Sequence, residues 1–488
     1  MMLSILLFFP LVAAIGALFS GARAKQIALG ATILEFVFSI GLALSFLPNG
    51  GTQFVENYWW VQGLGISYHV GMDGISLLLV LLTTFLLPLI VLSSFQHDYK
   101  NPGLFYFLIL VMQSALLGVF VSLDAFLFYV FWELALIPIY LICLVWGGKD
   151  RVRITLKFFI YTLFGSLLML VALIWLWAQT PGGHSFDINA FYALNIDPAS
   201  QAWIFWALFL AFAIKIPIFP FHTWQPDTYT DSPTAGTMLL SGIMLKMGIY
   251  GLLRWMLPVI PEGVHEWSNL AIILCVVGII YASLIAWVQK DFKRLIAYSS
   301  IAHVGLIAAG VFSLSFQGLH GSVFQMLSHG VNVVGLFFIV DIIERRTQTR
   351  EFDSLGGIRL VAPGFSTYFM IILLASIALP LTNGFVGEFL LINGLYQYST
   401  LAAAAAGLTI IFGAVYMLNA YRKIVLGQGK ALTESFTELN PKEKLVLVPI
   451  VILIFWMGIF PDFFLNISEP SIKALRDIIY SAPGLVSN

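Results

Sequence analysis

The chain has 488 residues, of which 60% are hydrophobic and 10% charged, and its formal net charge is -1. Soluble domains are nearer a quarter charged, so the solvent this chain is built for is lipid rather than water. Without a basic or acidic run it lacks the electrostatic footprint of nucleic-acid binding. Cys143 and Cys275 each sit in an apolar run and cannot build a disulfide framework, a zinc site or an iron-sulfur site, so the chain is expected to carry no redox centre or metal of its own.

Runs long enough to cross a hydrocarbon core, about 20 residues each, are predicted at 3–20, 27–47, 74–94, 103–121, 124–146, 154–178 and 202–220. The series continues at 233–257, 267–289, 294–314, 319–343, 361–396, 400–424 and 444–466. Lipid leaves only helices or closed barrels, and these runs do not alternate. The expected fold is therefore an all-α polytopic membrane protein of about fourteen transmembrane helices. Residues 1–20 superficially resemble a signal peptide with Ala22-Arg23-Ala24 as cleavage site. Arg23 and Lys25 follow the apolar stretch instead of preceding it, so it is read as a retained span. A short amphipathic tail is expected around Ile472 to Ile479.

Two spans are interrupted. Lys215-Ile-Pro-Ile-Phe-Pro220 breaks the seventh, because Pro217 and Pro220 cannot donate backbone hydrogen bonds and clash with the preceding turn. Pro380-Leu-Thr-Asn-Gly384 breaks the twelfth. If spans 4–8 and 9–13 are two five-helix units of opposite orientation, each break falls in the fourth helix of its unit, as in transporters built from inverted repeats. The domain expectation is an N-terminal three-helix segment (1–102), a first repeat (103–257), a second, inverted repeat (267–424), and a final helix with a short tail (425–488).

Basic loop residues, from Arg23 and Lys25 to Lys442 and Lys444 and including Lys290, Lys293 and Arg294, all fall on one side. The opposite side has only Lys473 and Arg476. The positive-inside rule makes the basic side cytoplasmic and puts both termini outside.

An ionised side chain at the bilayer centre costs at least about 2.5 to 3.5 kcal/mol, so such residues face a polar interior and usually have a function. Glu133 lies mid-span in Phe131-Trp-Glu-Leu134, Lys215 at the first break, Lys246 halfway down the eighth span, and Glu388 after the second break. Lys246, Tyr250 and Arg254 share one helix face at spacing four; Gln325, His329 and Asn332 share another; Ser299 and Ser300 stand one turn before His303. Histidine titrates nearest neutral pH and suits a relay. Desolvation disfavours a buried ammonium and a nearby carboxylate favours it, so moving Glu133 relative to Lys215 would load or unload the lysine. A hundred- to thousandfold change in proton affinity is worth roughly 3 to 4 kcal/mol. That is comparable to the ~3.5 kcal/mol needed to drive one charge against about 150 mV.

Other charges have plainer readings. Lys157 is expected to snorkel, and Arg254 either snorkels or serves the site. Asp73, Asp124 and Asp341 begin or end spans and read as caps or interfacial groups. Glu35 is mid-span and isolated, and is left unassigned.

Five stretches carry a resemblance: Phe128-Tyr-Val-Phe-Trp-Glu-Leu-Ala-Leu-Ile-Pro138; Lys215-Ile-Pro217 with Trp224-Gln-Pro-Asp227; Pro233-Thr-Ala-Gly236 leading to Lys246; Leu295-Ile-Ala-Tyr-Ser-Ser300 with His303; and Gly387-Glu-Phe389. With them the chain resembles, over nearly its whole length, the antiporter-like membrane subunits of respiratory complex I, the proton-pumping NADH:quinone oxidoreductase. Among these it resembles the M type, the counterpart of mitochondrial chain four. The L and N types carry lysine at the position of Glu388, and L has a long C-terminal lateral helix. The resemblance implies Glu133 and Lys215 as paired acid and base, Lys246 as central carrier, His303 and His329 as bridging sites with water, and Glu388 as terminal site. It also implies that NADH, FMN, iron-sulfur clusters and quinone belong to partner subunits. The expected neighbours are L- and N-type subunits and lipid, in a bacterial inner membrane rather than an organelle's. A subunit of a multisubunit sodium/proton antiporter or membrane-bound hydrogenase shares the same core. A solitary solute transporter predicts instead a roomy midplane cavity, and a purely structural subunit leaves the mid-span charges unexplained.

Overall fold

The computed structural model describes residues 1–481. Its elements run α1 (Met2–Phe19), α2 (Ala24–Ser45), β1 (Gln53–Val61), β2 (Ile66–Met72), α3 (Gly74–Ser93), α4 (Pro102–Val121), α5 (Ala125–Trp146) and α6 (Arg151–Gln179). Next come α7 (Ile188–Tyr192), α8 (Pro198–Lys215), α9 (Gln225–Asp231), α10 (Thr234–Leu239), α11 (Leu245–Gly251), α12 (Pro261–Trp287), α13 (Phe292–Phe312) and α14 (Phe316–Thr347). The chain ends with α15 (Ile358–Val361), α16 (Pro363–Ser376), α17 (Asn383–Tyr398), α18 (Thr400–Val425), α19 (Ala431–Glu434), α20 (Pro441–Ile459) and α21 (Asp462–Tyr480).

Among the described residues 12 helices are long and apolar enough to cross a membrane, or up to 13 if the bent pair α20 and α21 is one span. The two expected spans missing from the 12 are 361–396 and 444–466. The first is split into α16 and α17, with Ala378 and Leu381 at positive φ (59° and 74°) on either side of Pro380. The second stops at Ile459, where the chain bends by 67° into α21. The amphipathic tail is thus part of a longer helix, whose Ile472, Leu475 and Ile479 are buried. Residues 482–488 of the expected C-terminal segment lie outside the described residues.

Two layers follow from burial. The apolar 18-residue stretches of the run 234–256 and of α14 are 100% buried and that of α13 94% buried, whereas those of α1, α2 and α18 are 33% buried and form the rim. Polar side chains on α11, α13 and α14 therefore face protein rather than lipid. Close approach is set by small residues, as expected where apolar burial gives no drive between helices. A Cβ on Gly251 would overlap the Phe212 ring, and one on Gly330 would come 2.8 Å from the Gly242 carbonyl.

Among the described residues one two-stranded sheet interrupts the helices. β1 and β2 pair antiparallel around Gly65, which is left-handed at φ 64°. Asp124 caps α5 through the Phe126 and Leu127 amides and also accepts from the Ser67 amide (2.9 Å). His69 Nδ1 lies 2.6 Å from Asp187, the N-cap of α7. Burial alone would raise the Asp187 carboxyl, but His69 and the Asn189 amide hold it below the usual carboxylate range. A depressed carboxylate adds stability that is present above its unfolded value, about 3.9, and is lost as pH falls through the lower folded value. Amides of 66–72 should thus stay protected from hydrogen exchange near pH 5 and lose protection on acidification below about 3.9. Unchanged protection there would count against this anchor.

Gly74, the first residue of α3, touches the backbone of α21: its amide donates to Ser471 Oγ (3.0 Å), and an added Cβ would overlap the Ile467 carbonyl. Gly74→Ala is expected to lift α21 and cost about 1 to 3 kcal/mol, read as a lower unfolding temperature and earlier proteolysis within 462–480.

Candidate functional site

Lys215 closes α8. Pro217 has no amide with which to continue the helix, so the buried ammonium sits at a helix C-terminus, where the dipole favours a cation. Its Nζ lies 5.2 Å from the centre of the Trp132 ring on α5. The next residue, Glu133, is half-buried, and its Oε1 is sealed from solvent without a hydrogen-bond partner. Glu133 and Lys215 feel each other electrostatically, yet no ion pair within 4 Å joins them among the described residues. They are neighbours poised apart rather than a closed pair.

Lys246 lies between two π-helical turns, Leu240–Met244 and Leu252–Met256. Its Nζ donates to the Ser241 carbonyl (2.7 Å) and stands 2.8 Å from His329 Nδ1; the opposite nitrogen, Nε2, lies 3.0 Å from Ser300 Oγ. With Lys246 charged, Nδ1 accepts and the imidazole proton sits on Nε2, facing Ser300. One ring thus offers a proton acceptor toward the lysine and a donor on its far side.

The His303 and His329 rings are 6.3 Å apart, and His303 Nδ1 lies 2.9 Å from Glu388 Oε1. That contact is short but poorly aligned, and neither His303 nitrogen has a hydrogen-bond partner of good geometry. Gln325 Nε2 is 3.4 Å from the same carboxylate oxygen. A cavity of ≈ 20 Å³ is lined by Ser299, Ser300, His303, Gln325, His329 and Asn332. The Gln325 and Asn332 side-chain carbonyls and both His303 nitrogens are unpartnered. About 10 to 15 Å³ of such space holds one water, so this polar pocket suits a bridging water.

Of the six candidates, the structure brings together Lys246 with His329 and His303 with Glu388, sets Lys215 beside Glu133, and packs apolar Phe212 and Ile216 between α8 and α11. The remaining charges resolve individually. Lys157 is half-exposed, donating to the Thr223 carbonyl (2.7 Å) and lying 3.5 Å from Asp227, which also pairs with Arg294 (3.0 Å). Asp341 is no cap; it pairs with His97 (2.7 Å) and Arg345 (2.8 Å). Asp73 caps α3 and pairs with Arg254 (2.7 Å), so Arg254 does not snorkel. Glu35 is buried on α2 with Oε1 unpartnered. Lys293, expected in a loop, is buried in the first turn of α13 and donates to the Ser232 carbonyl (2.7 Å). Sequence reasoning also missed Tyr416, which meets Ser299 Oγ at 2.9 Å from α18; no helical spacing signals a contact between residues so far apart.

Broken helices carrying acid and base groups inside a lipid-free layer define an ion-handling membrane subunit. The chain matches the family model described as "NADH:quinone oxidoreductase/Mrp antiporter, TM" over residues 122–413, and that of "NADH-ubiquinone oxidoreductase chain 4, amino terminus" over 2–119. It is 41% identical over 487 residues to NADH-quinone oxidoreductase subunit M of Rickettsia conorii, covering 97% of this chain and 98% of that one. It is 38% identical over 456 residues to NADH-ubiquinone oxidoreductase chain 4 of Marchantia polymorpha, covering 92% and 91%. A chain of the respiratory complex I of Thermus thermophilus superposes with a TM-score of 0.91 at 30% identity, covering 98% of this chain and 100% of that chain. A chain of the Mrp complex of a Dietzia species shares the fold at a TM-score of 0.85 and 20% identity, covering 98% and 99%. The chain belongs to the NADH:quinone oxidoreductase/Mrp antiporter membrane-subunit family, with the subunit M and chain 4 proteins as its relatives.

The Lys246–His329 contact depends on α14 lying against the first π-turn, where Gly330 meets Gly242 and Leu82. Gly330→Ala is expected to cost about 1 to 3 kcal/mol and to widen that contact. Proton transport by the assembled complex should fall while the helical content measured by circular dichroism stays unchanged.

Proposed function

We propose that this chain moves protons as the M-type membrane subunit of a respiratory NADH:quinone oxidoreductase, along Glu133, Lys215, Lys246, His329, His303 and Glu388. What supports the reading is the pair of contacts Lys246–His329 (2.8 Å) and His303–Glu388 (2.9 Å), set around a water-sized polar cavity, with Lys246, His329 and His303 on the most deeply buried helices. Each of these groups both takes and gives a proton near neutral pH when suitably placed, which a static structural pair does not need to do.

In this reading a proton enters from the face with the basic loops, taken as cytoplasmic, rests on Lys215 and then Lys246, passes by way of the two imidazoles and bound water, and leaves outward past Glu388. Glu133 sets the charge state of Lys215 by approaching or withdrawing, and its half-buried position leaves it open to a neighbouring subunit. The chain makes fourteen crossings, ten of them arranged as two inverted five-helix repeats, 103–257 and 267–424, with α16 and α17 forming the broken twelfth. It acts without a redox centre of its own: NADH, FMN, iron-sulfur clusters and quinone are handled by partner subunits, and its flanking neighbours are the L- and N-type subunits. It resides as a multi-pass protein in a bacterial inner membrane with its termini outward.

Lys246→Ala and Glu133→Ala, each in the assembled complex in sealed vesicles, are expected to lower proton pumping and NADH:quinone activity together, by about 10² where a proton-transfer group is lost. NADH oxidation by an artificial acceptor should be retained. Pumping that survives both changes would overturn the assignment, and a sodium-dependent pH change without NADH would assign the chain to the antiporter branch.

A further inference from the structure

One buried charge pair has no place in the relay. Arg254 Nη2 and Asp73 Oδ2 are 2.7 Å apart, with side chains 15% and 6% exposed, at the end of the 234–256 run that faces away from the basic loops. Asp73 is fixed by the Ser76 amide (3.0 Å). The fully buried Tyr250 donates its hydroxyl hydrogen to the Phe120 carbonyl (2.9 Å) and lies 3.2 Å from Ser76 Oγ, which is 3.5 Å from Arg254 Nη2. Tyr192 donates to the Arg254 carbonyl (2.9 Å), and the guanidinium lies over the Tyr250 ring at 5.6 Å. The titratable side chains that face the pair include Tyr250 and Tyr192.

Lys246, Tyr250 and Arg254 follow one another at one-turn spacing, so the polar column that starts at Lys246 runs toward the opposite membrane face and ends at this pair. An arginine keeps its proton in proteins, and a fixed cation in a narrow polar path repels protons and other cations. We propose that the Asp73–Arg254 pair, steadied by Tyr250 and Ser76, is a seal on the far end of the Lys246 column. A proton held on Lys246 is thereby denied a direct exit and must pass to His329 and the second half of the subunit. The two residues are positioning groups, not carriers, and the inference rests on the reading of Lys246 as a carrier.

The test uses the whole complex in sealed vesicles without NADH, with passive proton entry followed by a pH dye under an imposed potassium diffusion potential. The double change Asp73→Asn with Arg254→Gln removes both charges without orphaning either. It is expected to raise the leak severalfold, and adding Lys246→Ala is expected to return it to the wild-type level. Arg254→Lys, which keeps a cation there, should stay tight. Arg254→Gln alone, which removes the cation, is the second route if the double variant fails to assemble, with the same expected leak and the same suppression by Lys246→Ala. A tight membrane in the assembled charge-removed variants, or a leak that Lys246→Ala leaves undiminished, overturns the seal. Whether Lys246 carries pumped protons is read separately, from NADH-driven pumping of the single Lys246→Ala complex.

Discussion

Placing a charge in hydrocarbon costs several kcal/mol, and this constraint orders the molecule from the rim inward. The least buried helices, α1, α2 and α18, hold one mid-span Asp, Glu, Lys or Arg that is not near an end, Glu35, and its side chain is buried. Lys246 and His329 sit on helices whose apolar 18-residue stretches are wholly buried, and His303 on one where that stretch is 94% buried. The outer helices thus serve as the solvent of the inner ones. Because that solvent is protein, it can supply what lipid cannot: carbonyls, hydroxyls and room for a water.

The same constraint explains where the backbone becomes irregular. In lipid an open backbone group has no partner, so departures from α-helix are confined to places covered by protein or lining a cavity. Here they coincide with the ionisable residues. Pro217 ends α8 and leaves Lys215 on its last turn. Two π-turns bracket Lys246, and the Ser241 carbonyl within the first accepts the lysine's hydrogen bond. The 377–382 break precedes Glu388 by less than two turns. At each place the loss of regular hydrogen bonding is repaid by a polar group that a straight helix would keep to itself.

How much of this was legible in the sequence depends on whether the signal is local. Spans, both breaks, and the faces carrying Lys246–Tyr250–Arg254 and Gln325–His329–Asn332 rest on residues within a few turns, where hydropathy and periodicity speak directly. Partners rest on residues brought together only by packing. Asp73 reads from its place before a span as a cap or an interfacial group, and it does cap α3, but that it also holds Arg254 is set by α3 lying against the 234–256 run. Lys293 reads as a loop cation because it follows Lys290 and Asp291, while its burial is decided by the Ser232 carbonyl at the end of α9. Two short strands joined at Gly65 leave no long apolar run, so hydropathy carries no sign of the hairpin, and straight spans are fewer than the apolar runs because Pro380 and Pro461 turn the chain.

Partner chemistry separates two kinds of buried charge. Toward the membrane faces most of the carboxylate pairs are made by arginine, beside the histidine pairs His69–Asp187 and His97–Asp341: Arg254 with Asp73, Arg294 with Asp227, Arg345 with Asp341 and Glu443, Arg350 with Asp291. Arginine does not give up its proton, so these are permanent charges that fix geometry. In the middle the contacts are Lys246–His329 and His303–Glu388, with Lys215 beside Glu133, and none of them includes an arginine. Every member of the central set can exist neutral, and none is locked in a bidentate grip. A subunit that only needed cohesion would gain nothing from this division, because arginine satisfies a carboxylate better than histidine does. A subunit that hands protons along its midline needs it: titratable groups where the proton moves, and fixed charges where the path must hold its shape or stop.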